Sequence, residues 1–312
     1  MLSYDKLTRN SSNFKGFTGL MVAEFDALYS KVMENIKAYE EKRLHREDRK
    51  RRIGAGHPFK LSLRDRLLML LIYHRLYFSS TILGYMFNLG QSNVLKNIRM
   101  LEPLVKDLLP LPVKLHKRIT RLTTLDEVEE MFPGFKAFLD ATEQEIPRPG
   151  DKRKRRSHYS GKKKRHTVKT QITVNADGLI LHKNPHNRGS KHDYGIFKWR
   201  HPRLPGEVSL GLDLGYDGVQ KDYPMLNVLI PFKRRSPGRG KRGVKSKELS
   251  VEEKEYNKWL RGERVVVEHV FGRLKKYRIM AEEFRNRLRH YDVMTDIVCG
   301  LVNLRLLGVS AL

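Results

Sequence analysis

Asp140, Asp213 and Glu268 stand where carboxylates can do chemistry. In a chain with 62 Lys and Arg against 35 Asp and Glu, an acid beside an apolar strand is a rare event. Asp140 follows Phe138-Leu139, and Asp213 follows the apolar run Val208–Leu212. Glu268 sits in RVVVEHVFGRLK, residues 264–275, among apolar and basic neighbours. Carboxylates at strand ends and on a packing helix offer the oxygen ligands that Mg²⁺ demands, and because Mg²⁺ keeps several waters, few protein ligands suffice. Two such ions about 3.5–4 Å apart activate an attacking oxygen and stabilise the leaving one in an in-line phosphoryl displacement. Taken singly, each acid is more often a turn cap or an ion-pair partner.

Nearby residues compete for these roles. Asp217 and Asp222 lie close to Asp213, but only Asp213 ends an apolar strand. Glu143 and Glu145 are secondary to Asp140. His192-Asp193 looks like a catalytic pair, yet adjacent residues on a strand or helix point apart. Cys299, the single cysteine, lies in an apolar helix and reads as core; it excludes internal disulfides and cysteine-rich zinc sites. Trp199 and Trp259 can stack on a base, but packing is expected for both.

The whole chain points to a polyanionic partner. Its 312 residues suffice for one large domain or two modest ones. A net charge of +27 and an isoelectric point near 10.1 make nucleic acid the first candidate. With 39% hydrophobic residues the chain can build real cores, which excludes wholesale disorder. No apolar run approaches a membrane span, and MLSYDKLTRN lacks a signal-peptide core, so no membrane partner is expected.

The positioning elements follow from periodicity. Residues 18–52 read as a helix capped by Thr18, striped by Leu20, Phe25, Leu28, Val32, Ile36 and Tyr39, and ending in a basic cluster before Gly54 and Gly56. Ser62-x-x-Asp65 opens a second helix, Ser79–Phe87 fits a third, and Asn88-Leu89-Gly90 turns into a fourth from Gln91 to about Leu101. That is helix–turn–helix grammar, closed by Pro103, Pro110 and Pro112, and it presents Gln91, Ser92, Asn93, Lys96, Asn97 and Arg99 to a major groove. From about residue 126 strands take over. His166–Val174 alternates, with Val168, Ile172 and Val174 on one face and Lys169, Gln171 and Thr173 on the other. Asp177-Gly178 turns it into Leu179–Leu181, and Val208–Leu212 and Met225–Ile230 add further strands. After Ser250 the pattern is helical, making a mixed α/β domain. Two basic runs interrupt it. Lys162, Lys163, Lys164 and Arg165 end the run at 151–165, and a second run occupies 233–247; both are expected to touch phosphates.

Residues 140–149 (DATEQEIPRP) and 159–174 (YSGKKKRHTVKTQITV) resemble the start of the catalytic domain of DDE-class insertion-sequence transposases, the group related to eukaryotic Harbinger transposases. The likeness continues in order through Gly189-Ser190-Lys191-His192-Asp193, Asp213-Leu-Gly-Tyr216-Asp-Gly218, RNRLRHYD at 285–292 and the helix containing Val302-Asn303. Phe17-Thr18-Gly19-Leu20 and the unit at 57–112 resemble the N-terminal part of that group. The group's Tyr-x2-Arg-x3-Glu-x6-Lys signature is matched by Arg264, Glu268 and Lys275, while Arg261 stands at the tyrosine position.

The resemblance implies an α/β fold: a ribonuclease-H-like mixed sheet with flanking helices, preceded by an all-α helix–turn–helix domain. Asp140 then lies on the first strand, Asp213 after the fourth and Glu268 on a later helix, together holding two Mg²⁺ ions for which Mn²⁺ can substitute. Arg264 and Lys275 become phosphate contacts, and the resemblance gives His192 and Asp193 no metal role and implies a structural or DNA-proximal one. The expected division is a helical arm at 1–56, a helix–turn–helix domain at 57–125 and a catalytic domain at 126–312 with basic loops at 151–165 and 231–250. The implied activity is cleavage at terminal inverted repeats and transfer of the ends to target DNA. Double-stranded DNA is the expected partner, a homodimer or larger assembly the working form, and the cytoplasm of a bacterial or archaeal host, on the nucleoid, the location. A DNA-binding regulator derived from a transposase, or an endonuclease of the same fold without strand transfer, are the alternatives.

Overall fold

Helices open the chain wherever apolar residues recur at helical spacing behind a capping side chain. A computed structural model describes residues 1–50, 52–234 and 248–312, which form two compact units: Met1–Leu111 with Arg273–Leu312, and Pro112–Gly272. The second basic run expected to touch phosphates therefore lies mostly outside the described residues.

The first unit begins with α1 (Tyr4–Leu7), α2 (Ser11–Thr18), α3 (Val22–Leu44), α4 (Leu63–Leu76), α5 (Ser80–Phe87) and α6 (Gln91–Leu108). Ser62 Oγ accepts from the Asp65 amide at 3.1 Å, forming the expected cap, and Ser79, read as the first residue of the next helix, caps it instead, its Oγ accepting from the Ile82 amide at 3.3 Å. In α4, Leu67 through Ile72 are wholly buried, and a helix apolar on every side has to sit at a centre. The helix–turn–helix is present as α5, a turn at Asn88–Gly90, and α6.

Several boundaries differ from the periodicity: the helix expected to reach residue 52 ends at Leu44, and the strand expected at 225–230 shrinks to Val228–Leu229. Thr18 ends α2 instead of capping α3, its hydroxyl donating to the Phe14 carbonyl at 2.7 Å, and Gly19 at φ 82° then breaks the helix. The Glu24 carboxylate, accepting from the Met21 amide at 2.6 Å, closes the start of α3. Helix α6 runs through Pro103 to Leu108, because Leu104 and Val105 continue the buried face and outweigh the one amide that proline removes.

The second unit contains α7 (Pro112–Ile119), α8 (Leu125–Met131), β1 (Lys136–Glu145), α9 (Lys152–His158), β2 (Tyr159–Ser160), β3 (Arg165–Asn175), β4 (Ile180–Lys183) and β5 (Asn187–Arg188). It continues with α10 (Asp193–Trp199), β6 (Ser209–Gly211), α11 (Val219–Asp222), β7 (Val228–Leu229) and α12 (Val251–Lys275). The sheet order is β2-β3-β1-β6-β7, with β4 and β5 also on β3. Stripped of the two-residue pieces β2 and β5, the ladder is β4-β3-β1-β6-β7. Its first three strands in sequence form an antiparallel meander, and β6 and β7 join parallel. This is the ribonuclease-H-like mixed sheet. One face packs Ala137, Leu139, Leu181 and Leu210 against Ile119, Val128 and Phe197 from flanking helices.

After α12 the chain adds α13 (Arg278–Ala281) and α14 (Tyr291–Leu307) to the first unit. Asn303 Nδ2 donates to the Pro110 carbonyl at 3.0 Å, and Lys106 pairs with Asp296 at 3.0 Å. Residues 273–312 thus pack with the helices, whereas the sequence boundaries assigned them to the 126–312 domain. The reason is that α14 is apolar on almost every side and fits helical neighbours. No described helix is long and apolar enough to cross a membrane.

Candidate functional site

Parallel pairing of β1 with β6 sets Phe138 beside Gly211, and two residues further along each segment come Asp140 and Asp213. Neighbouring strands therefore deliver two carboxylates to one place, Asp140 from the middle of β1 and Asp213 from just beyond the end of β6, so the apolar run at 136–140 does not end its strand as the sequence suggested. Each is anchored by one oxygen: Asp140 Oδ1 accepts from the Ala141 amide at 2.7 Å, and Asp213 Oδ1 accepts from the Gly215 amide at 2.7 Å. Burial, reinforced by the charge of Asp213, pushes the Asp140 carboxyl up to about 6. A pair of this kind calls for a cation.

Helix α12 brings one. Lys136 Nζ pairs with Glu263 at 2.8 Å, tying α12 to the start of β1, and Arg264 Nη2 stands 3.6 Å from Asp140 Oδ2. Arg264 Nε is buried without an acceptor, a donor left over at the edge of the carboxylate pair. Glu268 follows Arg264 by four residues, hence on the same helical face, and is exposed. Among the described residues no three His, Cys, Asp or Glu side chains stand close enough together to hold a metal ion. The structure thus joins Asp140, Asp213 and Arg264, and leaves Glu268 one turn further along the helix. Two hard-oxygen carboxylates from neighbouring strands, one with raised proton affinity, fit a divalent cation such as Mg²⁺ as donors.

A second set of polar residues joins β1, β3 and α10, and nothing in the sequence placed its members together. Lys169, almost wholly buried, reaches Asp193 at 2.8 Å and Glu143 at 3.6 Å. Gln171 Nε2 donates to the Tyr216 hydroxyl at 2.8 Å and to the Asp193 carbonyl at 3.2 Å. The alternation of β3 read Lys169, Gln171 and Thr173 as one face, and nothing in it shows that this polar face is covered. Gly189, in the Gly189–Asp193 motif, packs so closely on β3 that a Cβ would clash with Thr167 Oγ1. The Asp193 carboxylate is held by Lys169. Asp222 pairs with Lys198 at 2.5 Å and with Tyr194, and Asp217 with Lys233 at 3.6 Å, so both are engaged away from Asp140.

On α6, Gln91, Asn93, Lys96 and Arg99 are exposed, and Gln91 Nε2 donates to Ser80 Oγ at 2.9 Å. Asn97 is not available to a groove. It is buried, its Oδ1 accepting from Arg66 Nε at 2.6 Å and its Nδ2 donating to the Asn93 carbonyl at 2.8 Å. Lys162, Lys163 and Lys164 form the exposed tip between β2 and β3, followed by exposed Arg165. Lys275, the last residue of α12, is exposed. Cys299 is core, but Trp199 and Trp259 are 58% and 43% exposed, so neither packs as expected. Their rings are met by cations instead: Lys191 over Trp199 and Lys136 over Trp259.

Residues 139–303 match the family model described as DDE superfamily endonuclease, and residues 59–111 match the helix-turn-helix of DDE superfamily endonuclease. A protein of Microchaete diplosiphon, named as the probable transposase for insertion sequence element IS702, is 28% identical over 259 residues, covering 83% of this chain and 86% of its own length. No solved structure matches.

Proposed function

The chain belongs to the DDE superfamily endonucleases, and we propose that within them it is a transposase that cuts DNA beside terminal inverted repeats and joins the freed ends to target DNA. The observation that carries this reading is the delivery of Asp140 and Asp213 from neighbouring parallel strands, with Arg264 against Asp140. Asp140, Asp213 and Glu268 would hold Mg²⁺, or Mn²⁺ in its place, as a pair of ions. When bound, such ions supply Lewis-acid stabilisation of charge on the phosphoryl oxygens.

The chain's own residues do the rest. The Ala141 and Gly215 amides fix the two carboxylates, so their free oxygens are oriented before substrate arrives. Arg264 holds Asp140 through Nη2, and its guanidinium is the cation nearest the carboxylate pair that a phosphate would approach. Lys169 locks Glu143 and Asp193 behind the site. Lys162, Lys163, Lys164, Arg165 and Lys275 grip backbone phosphates without regard to sequence. Gln91, Asn93, Lys96 and Arg99 on α6 read base edges in the major groove. Joining requires two ends at once, so the working form is at least a homodimer on DNA, at the nucleoid of a bacterial or archaeal cytoplasm.

A strand-transfer assay tests this. Labelled duplexes ending in the element's inverted repeats are incubated with the protein, Mg²⁺ and a plasmid target. Joined products are expected, and none when unrelated ends replace the repeats. Cleavage without joining would leave an endonuclease, and binding without cleavage a regulator.

A further inference from the structure

Arg75, Arg273, Lys276 and Arg305 line one cleft of about 290 Å³ in the helical unit, walled also by Tyr277, Val302 and Leu306. No acid lines it. Arg273, Lys276 and Arg305 are exposed and Arg75 is half-buried. The ordinary explanation is that basic residues neutralise helix C-termini: Arg75 lies in the last turn of α4, Arg273 in that of α12 with Lys276 just beyond it, and Arg305 in that of α14. Each C-terminus carries roughly half a negative charge, so three offset about 1.5 of the four positive charges and leave a surplus of about 2.5.

The surplus is felt inside the cleft. The Arg75 guanidinium is held below its ordinary value, first by burial and also by the charge of Arg305. It lies over the Tyr277 ring at 5.1 Å and its Nε donates to the Gly16 carbonyl at 3.3 Å, so its place is fixed despite the repulsion. The Tyr277 hydroxyl is buried without a partner, and Glu24, an acid outside the cleft wall, acts on it only through its field. Like charges gathered without a counter-charge in the wall are stabilised by an anion from outside. Arg75 also stands four residues before Ser79, the cap of the first helix of the helix–turn–helix.

We propose that this cleft binds backbone phosphates of the DNA duplex beside the segment read by α6. The proposal rests on the reading of the chain as a DNA-binding transposase. A surplus of two to three charges suits two or three phosphodiesters, each carrying one, and the exposed Arg273, Lys276 and Arg305 can approach a duplex backbone.

The test uses the full chain and its Arg273→Gln/Arg305→Gln variant. Binding to a duplex bearing the terminal repeat, and to a scrambled duplex of equal length, is measured from 50 to 200 mM salt. Two lost phosphate contacts lower the slope of log K against log salt by about 1.8 for both duplexes. The preference for the terminal repeat stays unchanged. Should the double variant lose its fold, Lys276→Gln alone carries the test, with an expected fall of about 0.9. Wild-type slopes in a folded variant overturn the proposal. So does a cleft that binds inorganic pyrophosphate, seen as a thermal shift present in the wild type and absent in the variant, while the DNA slopes coincide; the ligand would then be a free anion. A wild-type protein that binds neither duplex defeats the functional reading and this inference with it, whereas wild-type binding with equal slopes defeats this inference alone.

Discussion

Asp140→Asn, Asp213→Asn and Glu268→Gln keep shape and remove one negative charge each, so they separate chemistry from binding. If the three hold Mg²⁺, each variant loses several kcal/mol of charge stabilisation, a fall in cleavage of at least about 100-fold, while binding to repeat ends stays near wild type. Near-normal cleavage by one variant, measured by end-nicking with Mg²⁺, removes that residue from the site. A different residue pair governs pH. His74 and Glu102 are buried with Nε2 and Oε1 3.8 Å apart, and neither atom has a hydrogen-bond partner. Burial pushes His74 down to about 4 and Glu102 up to about 7, so both are neutral in the folded chain between those values. The unfolded chain titrates them near 6.5 and 4.5. Between pH 4.5 and 6.5 the unfolded state carries a charged His and a charged Glu, the same proton count as the neutral folded pair, and this pair gives stability no slope there. In Glu102→Gln the depressed His74 acts alone: its stability is complete above pH 6.5 and falls by about 3 kcal/mol as pH drops toward 4. In His74→Gln the raised Glu102 acts alone, and stability present below pH 4.5 is lost by a similar amount, about 3 kcal/mol, as pH rises to 7. Urea midpoints of the two variants, taken relative to wild type, should slope in opposite directions; parallel slopes would refute the pairing.

At the scale of elements, α6 and the β2–β3 tip carry opposite expectations for DNA. Replacing Gln91, Asn93 or Lys96 on α6 should cost about 1–3 kcal/mol on the terminal repeat for a residue in a good bidentate contact, and much less on random duplex. Neutralising Lys162, Lys163 and Lys164 should weaken every duplex alike and flatten the salt slope by about 0.9 per contact. A repeat preference that follows the tip and ignores α6 would reverse these roles. Sequence made these elements legible where one face is apolar and the ends are capped. Ser62 and Ser79 marked helix starts, the alternation from 166 to 174 marked β3, and the apolar runs ending at Asp140 and Asp213 marked strands that prove to be parallel neighbours. What stayed hidden depends on contacts distant in sequence. Asn97 lies on the expected reading helix, but Arg66, 31 residues earlier, draws it into the interior. Lys169 looks like a solvent-facing strand lysine until α10 covers it and brings Asp193 to 2.8 Å. Pro103 reads as a helix stop, and only the buried Leu104 and Val105 beyond it explain why α6 continues. Both tryptophans looked like core because size and hydrophobicity favour packing, yet each stays half exposed with a cation over its ring, Trp259 with the Tyr256 ring beside it as well.

For the whole molecule, the partition into two units makes a prediction about which segments need each other to fold. The family match at 139–303 runs through the boundary at 272, so similarity and packing divide the chain differently. In the helical unit α14 buries Met294, Ile297, Val298, Leu301, Val302 and Leu304. At about 1.5–3 kcal/mol for each buried aliphatic side chain, these six contribute roughly 9–18 kcal/mol, as much as the entire net stability of a typical domain. The net charge of +27 adds self-repulsion to be overcome before any DNA is present. A fragment of residues 1–111 should therefore not fold alone, although it contains the complete helix–turn–helix. Its amide spectrum should be collapsed and its α-helical circular dichroism weak at low protein concentration. Adding a peptide of residues 273–312 should restore dispersion and helicity with a one-to-one stoichiometry, because it returns α14, the Asn303 bond to the Pro110 carbonyl and the Lys106–Asp296 pair. The same peptide with Leu301→Asp, a charge placed where the side chain is wholly buried, should fail to do so. A 1–111 fragment that gives a dispersed spectrum and a cooperative melt without the peptide would show that the helices need no C-terminal partner, and the unit boundary at Arg273 would be a matter of contact and not of folding.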